Sequence, residues 1–98
     1  MIYGRPPPFH FWNLDKTMRI QEATLRTLAA AGSVRELVAQ RITAGNDWAW
    51  VLLVRVENSE APLEKQRGGA REFKSLDAIA ALIDSLGYSE FMVKLEAH

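Results

Sequence analysis

The chain has 98 residues, no cysteine, and twelve basic residues (lysine and arginine) balanced by twelve acidic ones. This length fits one domain, and a balanced charge gives no bulk attraction to nucleic acid or membrane, so such binding requires a local patch. The lack of cysteine excludes disulfides, thiolate metal sites and cysteine catalysis, and it fits a cytoplasmic protein. No apolar run approaches the ~20 residues of a membrane span, so no membrane partner is expected.

The first 17 residues differ from the rest because three consecutive prolines lie among several aromatic residues. Prolines keep helix and sheet out of such a segment. Residues 1–17 are therefore interpreted as a flexible leader, or as the result of a start codon placed upstream of Met18. The alternative is a recognition arm that lays its aromatic rings on a partner. Residues 18–98 then form a single α+β domain.

A helix and a β-hairpin are predicted at the start of this domain. The helix runs from about Thr17 or Arg19 to Ala31, with Thr17 as its N-cap. Residues 33–57 form two strands joined by a turn at residues 44–47, where Gly45 tolerates a positive φ. Alternate residues of the second strand are uniformly apolar, so that face is expected in the core. These residues are Trp48, Trp50, Leu52, Val54 and Val56.

The remaining elements complete a small sheet. Residues 58–62 are predicted as a loop, residues 63–67 as a short strand and residues 71–74 as extended chain. Ser75 is the predicted N-cap of a second helix, and residues 90–96 alternate as a last strand, with Phe91, Val93 and Leu95 facing inward. The fold is thus α+β in the order α-β-β-(β)-α-β, with an antiparallel or mixed sheet and both helices on one face. The last strand follows a helical crossover and is expected to pair in parallel.

Catalysis is not expected. The only histidines, His10 and His98, lie in the leader and at the last residue, where no rigid element holds them as a base or ligand. Ser75 has the position of a helix cap rather than of a nucleophile. The sequence indicates no enzyme, no metal site and no cofactor.

The most suggestive functional feature is a run of cations around two adjacent glycines. It contains Lys65, Arg67, Arg71 and Lys74. Arginine grips phosphate through paired donors, lysine adds point charge, and glycine lets the backbone approach a ligand. These four residues are candidate nucleic-acid contacts, with Arg41 and Arg55 extending the patch. The alternative is a surface loop whose charges only keep the protein in solution.

A second candidate surface is apolar. Leu37, Val51 and Leu53 are assigned to the sheet face opposite the helices, where they would form an exposed strip. Such a strip is typical of a partner-binding surface, and a homodimer through this face or through a free sheet edge is the corresponding hypothesis.

Four ordered segments resemble a known family. They are Leu25-x-x-Leu-Ala-Ala-Ala-Gly32, Trp48-Ala-x-Val-x-x-Val-Arg55, Gln66-Arg-Gly-Gly-Ala-Arg-Glu-Phe-Lys-Ser-Leu-Asp77 and Leu86-Gly-Tyr-Ser-Glu-Phe91. Over residues 18–95 the chain is similar to the ParC-type partition-associated, plasmid-related proteins. The resemblance implies an accessory role in maintaining a plasmid or mobile element, by binding DNA or a partition protein, and it carries no catalytic residues.

The element order is also similar to that of double-stranded-RNA-binding domains. Those domains anchor phosphates through several lysines at the start of their second helix. Here that place reads Lys74-Ser-Leu-Asp77, with one lysine and an acid. This departure argues against RNA binding. The expected function is that of a non-enzymatic accessory protein of a plasmid or mobile element, which binds nucleic acid in its partition or maintenance. The alternative is a protein–protein adaptor or homodimerisation module.

Overall fold

A computed structural model describes residues 19–96 as two helices and a five-stranded mixed sheet. This architecture confirms the α+β class and, in outline, the expected order. In chain order, the elements are α1 (Glu22–Ala30), β1 (Val34–Ala44), β2 (Asp47–Val56), β3 (Ser59–Pro62), β4 (Glu72–Phe73), α2 (Leu76–Ser85) and β5 (Met92–Lys94). The leader, Thr17 and both histidines lie outside the described residues.

The predicted hairpin is confirmed and forms the centre of the sheet. Ala44 of β1 pairs with Asp47 of β2, so the loop has two residues, Gly45 and Asn46. Gly45 has a φ of 67°, whereas Asn46 is not among the described residues with positive φ, as in a type II′ turn. The sheet order is β3-β2-β1-β5, and β4 pairs with β2 beside β3.

Both helices pack on one face of the hairpin, as predicted. Leu25 of α1 and Ile79 and Ile83 of α2 form one buried cluster with Leu52 and Val54 of β2. The Oγ of Ser75 accepts a hydrogen bond from the N–H of Ala78 at 3.2 Å, which confirms the predicted cap of α2. The core therefore lies between the hairpin and the two helices.

The assignment of Leu37 to the opposite face is wrong. Leu37 pairs with Val54, and directly opposite residues share a face, so Leu37 belongs to the main core. A bulge between Val34 and Glu36 adds one residue to β1 and shifts the alternation of side chains at the start of the strand. Val34 and Leu37 therefore pack on the same core although they are three positions apart.

The exposed apolar strip is also absent from the described residues. Leu37, Val51 and Leu53 are 4, 7 and 5% exposed. Val51 and Leu53 lie on the second face, where they pack with Val38, Ile42 and Ala70. Ala70 comes from the glycine-containing loop, which thus covers part of the face that was expected to be open. The surface on which the sheet-face interface depended is therefore buried.

Helix α1 begins later than predicted, at Glu22. Ile20 instead forms a parallel bridge with Leu63, and the N–H of Glu64 donates to the carbonyl of Ile20 at 2.7 Å. Ile20 is buried, so this tertiary pairing outweighs the helical pattern around it.

The third strand also differs from the prediction. It occupies Ser59–Pro62 rather than residues 63–67, because a tight turn at Glu57, with a φ of 56°, returns the chain directly to β2.

Strand β5 pairs in parallel with β1, as expected, but only over Met92–Lys94. Of its predicted inward residues, Phe91 packs on the core, whereas Val93 and Leu95 are exposed.

Trp48 is 60% exposed, so its assignment to the core is wrong, and Trp50 is only partly buried. Trp48 is the second residue of β2 and lies beside the hairpin turn, opposite Thr43. Among the described residues, no helix is long and apolar enough to cross a membrane.

Candidate nucleic-acid interface

The loop that carries the predicted cations is a tight turn, here called the glycine turn (residues 65–71). The N–H of Lys65 donates to the carbonyl of Gly69, and the N–H of Gly68 donates to the carbonyl of Lys65, both at 2.9 Å. Gly68 and Gly69 have φ values of 92° and 82°, a region that other residues rarely adopt. The Arg71 N–H closes the base of the turn by donating to the carbonyl of Leu63 at 2.8 Å.

The start of α1 holds the glycine turn in place. Gln21 is the residue before the helix, and its Nε2 donates to the carbonyls of Lys65 and Gln66 at 3.1 and 3.0 Å. Next to it, Arg19 forms an ion pair with Glu64 at 3.2 Å. A side-chain donor that binds two successive carbonyls fixes the course of the backbone. The turn is thus anchored to the core through α1.

Arg71 is engaged within the molecule. Its Nη1 lies 3.0 Å from Glu22 Oε1, and its guanidinium carbon lies 4.8 Å from the centre of the Phe73 ring. Arg26 binds the second oxygen of Glu22 at 2.9 Å. The hydrogen bond from Arg71, followed by that from Arg26, lowers the pKa of Glu22. Because Glu22 balances it, Arg71 positions the turn more than it attracts an external anion.

The other three candidate residues remain available. Lys65, Arg67 and Lys74 are exposed, and none of them forms an ion pair within residues 19–96. Lys65 and Arg67 lie on the glycine turn itself. Lys74 follows β4 by one residue, and β4 forms the continuation of the turn. The structure therefore keeps three of the four predicted cations on one continuous outer segment.

Arg41 and Arg55 do not extend this patch. Arg55 pairs with Glu36 at 3.4 Å on the second sheet face. The guanidinium of Arg41 lies 4.0 Å from the centre of the Trp48 ring, and its Nε donates to the carbonyl of Leu95 at 3.2 Å. Both arginines are thus used in contacts away from the glycine turn.

A cavity of about 440 Å³ separates the start of α1 from the glycine turn. Its lining includes the carboxylates of Glu22 and Glu64 beside the side chains of Lys65 and Arg71. A phosphate inside the cavity would meet both carboxylates, which repel it. The outward side of the turn, at Lys65 and Arg67, is therefore the favourable place for an anionic backbone.

A second exposed region was missed by the sequence pattern. Trp48, Met92, Val93 and Leu95 are large apolar residues with 40% or more of their surface exposed. Three of them belong to β5 or follow it directly, and Trp48 is joined to Leu95 through Arg41. Alternation predicted burial of Trp48, Val93 and Leu95, whereas Met92 was expected to face outward. A pattern of side chains does not reveal that a strand lies at the edge of a sheet.

The fold and these surfaces define a small α+β protein with a cationic turn on one side of its sheet and an apolar strand on the other. The model of the ParC-like family matches residues 20–98, and the chain belongs to the ParC-like family. This match confirms the resemblance drawn from the ordered motifs. Searches of curated proteins and of solved structures found no match to the chain.

Proposed function

We propose that this protein is a non-enzymatic, cytoplasmic accessory protein of a plasmid or other mobile element, and that it contacts the backbone of DNA through Lys65, Arg67 and Lys74. The observation that carries the proposal is the exposure of these three cations, without ion-pair partners in the described chain, beside a turn that α1 holds in place. Membership of the ParC-like family supports the role in element maintenance. A partition protein that shares the same DNA is the corresponding protein partner.

These residues are suited to contact the phosphates of the DNA backbone rather than to recognise the edges of its bases. A preformed turn needs little further ordering of its backbone on binding, and Arg67 offers phosphate a planar pair of donors. Arg71 fixes the end of the turn by its ion pair with Glu22 and its contact with the Phe73 ring. Contacts of this kind carry little sequence information, so binding is expected to be weak and nearly independent of sequence.

Salt dependence tests this proposal. Three phosphate contacts predict a slope of about −2.7 for log K against log salt, which lowers affinity about 40-fold between about 50 and 200 mM salt. The measurement is the fluorescence anisotropy of a labelled DNA duplex titrated with the full chain. Removing one contact by Arg67→Ala should reduce the magnitude of the slope by about one.

Arg35→Ala is the matched control. Arg35 is also an exposed arginine without an ion pair among residues 19–96, but it lies at the start of β1 rather than on the turn. If Arg35→Ala weakened binding as much as Arg67→Ala, the effect would be one of overall charge and the site would be wrong. A failure of the unaltered chain to bind at the lower salt concentration would reject DNA binding itself.

A protein–protein adaptor is the second candidate function. The observation that favours it is the exposed apolar group formed by Trp48, Met92, Val93 and Leu95. Association through these residues should change little with salt, because apolar burial is not screened. A salt-insensitive complex that forms equally well with Arg67→Ala would favour this candidate over DNA binding.

A further inference from the structure

Strand β5 forms one edge of the sheet, since it follows β1 at the end of the order β3-β2-β1-β5. An edge strand presents backbone donors and acceptors to any other strand, and proteins usually protect such edges with prolines, bulges or several charges. Here the strand itself carries one charge, Lys94, between exposed apolar residues. The β5 edge is therefore ready to pair with another strand.

The charges along this edge are self-complementary. Glu90 lies two residues before Met92, and Lys94 lies two residues after it. When two copies of the strand run antiparallel about Met92, Glu90 is opposite the partner's Lys94, and the reverse pair forms by symmetry. Phe91 is then opposite the partner's Val93. Opposite charges placed directly across strands stabilise antiparallel pairs.

Symmetric registers centred on Phe91, Val93 or Lys94 lack this match, and one centred on Leu95 pairs Lys94 with the partner's Glu96 but leaves Glu90 outside the paired segment. Directly opposite residues share a sheet face, so a two-fold axis perpendicular to the sheet must pass through a residue position. An axis at Val93 places Glu90 opposite the partner's Glu96, and an axis at Lys94 places two lysines opposite each other. An axis at Phe91 leaves both charges opposite uncharged residues. Among these neighbouring registers, only that centred on Met92 places Glu90 opposite a lysine.

We propose that the β5 edge binds a second copy of this chain, antiparallel and with Met92 at the two-fold axis. The two sheets then join into one, and Met92, Val93 and Leu95 lose much of their exposure. The glycine turn lies on the other side of the sheet, beyond β2. Both cationic turns therefore stay free at the outer ends of the dimer, and the proposal does not depend on DNA binding.

Charge reversal tests the register. Lys94→Glu and Glu90→Lys each replace two attractive cross-strand pairs with two repulsive ones, so each should raise the dimer Kd about tenfold or more. The double variant Glu90→Lys plus Lys94→Glu exchanges the charges and should restore the dimer to near its original Kd. Sedimentation equilibrium of the full chain at micromolar concentration measures all four proteins. Far-UV circular dichroism confirms that each variant is folded.

The sedimentation results of the four proteins distinguish support for the proposed dimer from its rejection. Weakening by both single variants and recovery in the double variant support the proposal. A double variant as weak as the single ones would overturn the register, and an unaltered chain that remains monomeric throughout the concentration range would overturn the dimer. Binding of another protein's strand, in place of a second copy, would also appear as a monomer in this experiment.

A single introduced cysteine gives an independent test, because the chain contains no cysteine. Met92→Cys places two thiols directly opposite each other at the axis, within reach of a disulfide. Mild oxidation should link this variant into a covalent dimer. In the control, Val93→Cys, the two thiols are offset along the strands, on the other sheet face, and should link far less. Equal linking of both variants, or none by Met92→Cys, would contradict the proposed axis.

Discussion

The glycine turn and the β5 edge differ in how their chemistry is used within the molecule. In the glycine turn, Gln21 binds two backbone carbonyls and Glu22 balances Arg71. At the β5 edge, by contrast, Met92 and Val93 stay exposed and the strand pairs with β1 over three residues. The polar groups of the turn are thus bound by other parts of the fold, whereas the apolar side chains of the edge stay exposed to solvent.

This difference shows which surface offers more to a partner. A charged group that is already paired gains little from a new ligand, because the existing contact must be lost or shared. Arg71 is such a group, so Lys65, Arg67 and Lys74 are the members of the four-cation set that remain for an anion. Exposed apolar area and free backbone groups carry no such cost. The edge therefore favours strand pairing, and the turn favours a weak electrostatic contact.

The largest expected effect separates two aromatic residues, Phe73, which contacts Arg71 of the glycine turn, and Trp48, which is linked through Arg41 to Leu95 beside β5. Phe73 lies under Arg71, pairs with Trp50 and is 6% exposed. Phe73→Ala should lower the free energy of unfolding by about 3–5 kcal/mol, because it opens a cavity beneath the turn. Trp48→Ala should cost at most about 1 kcal/mol, because it removes a mostly exposed ring and its contact with Arg41. Urea denaturation of both variants measures the difference.

Equal losses from the two substitutions would contradict the comparison. They would indicate that Trp48 is buried in solution or that Phe73 does not support the turn. The position of the fluorescence maximum distinguishes these cases, since an exposed tryptophan emits at longer wavelength, and the spectrum of Trp48→Ala shows which part of the emission is lost.

Much of the fold could be predicted because local patterns and tertiary packing agree. The hairpin, the cap at Ser75 and the position of both helices on one face all follow from alternation, turn residues and helix periodicity. The errors arise where a long-range contact decides. Ile20 leaves the helix to pair with Leu63, and the bulge near Val34 changes which side chains of β1 share a face.

The candidate site was predicted only as a set of residue types. Four cations near two glycines are visible in the sequence, but their pairing is not, because Glu22 reaches Arg71 across 49 positions. The β5 edge was invisible for a different reason. Sheet order depends on which strands meet, and alternation is the same in an edge strand and a central one.

The conformation of the glycine turn gives the second prediction. Gly68→Ala places a side chain at a φ of 92° and brings its Cβ within 3.3 Å of Arg19 Nη2. The strain should lower the free energy of unfolding by about 1–2 kcal/mol. Gln66→Ala is the control on the same turn, since its exposed side chain makes no hydrogen bond among the described residues, and it should stay within about 0.5 kcal/mol. A neutral Gly68→Ala would show that the turn rearranges freely.

The anchor of the turn gives the third prediction. Gln21→Ala removes two donations to backbone carbonyls and should cost about 1 kcal/mol, since exposed hydrogen bonds are partly replaced by water. Amide hydrogen exchange should show faster exchange at Lys65 and Gly68, whose N–H groups are bonded within the turn. Unchanged exchange at both positions would mean that the turn keeps its shape without α1.

The smallest expected effect concerns the pH dependence of the Glu22 contacts. Arg71 and Arg26 lower the pKa of Glu22 in the folded chain, so the carboxylate is more acidic there than in the unfolded chain. Its stabilisation is therefore complete above the ordinary glutamate pKa of about 4.3 and is lost as pH falls through the lower folded value. Glu22→Gln should cost no more than about 1 kcal/mol at neutral pH, since these pairs are partly exposed, and nothing in strong acid. Glu72→Gln is the control, because it removes a carboxylate that forms no ion pair among residues 19–96. Urea denaturation of both variants between neutral and acidic pH measures this contrast.

If Glu22→Gln lowered the free energy of unfolding by the same amount at every pH, Glu22 would act through its shape rather than its charge. Arg71 would then be as free to bind an anion as Arg67.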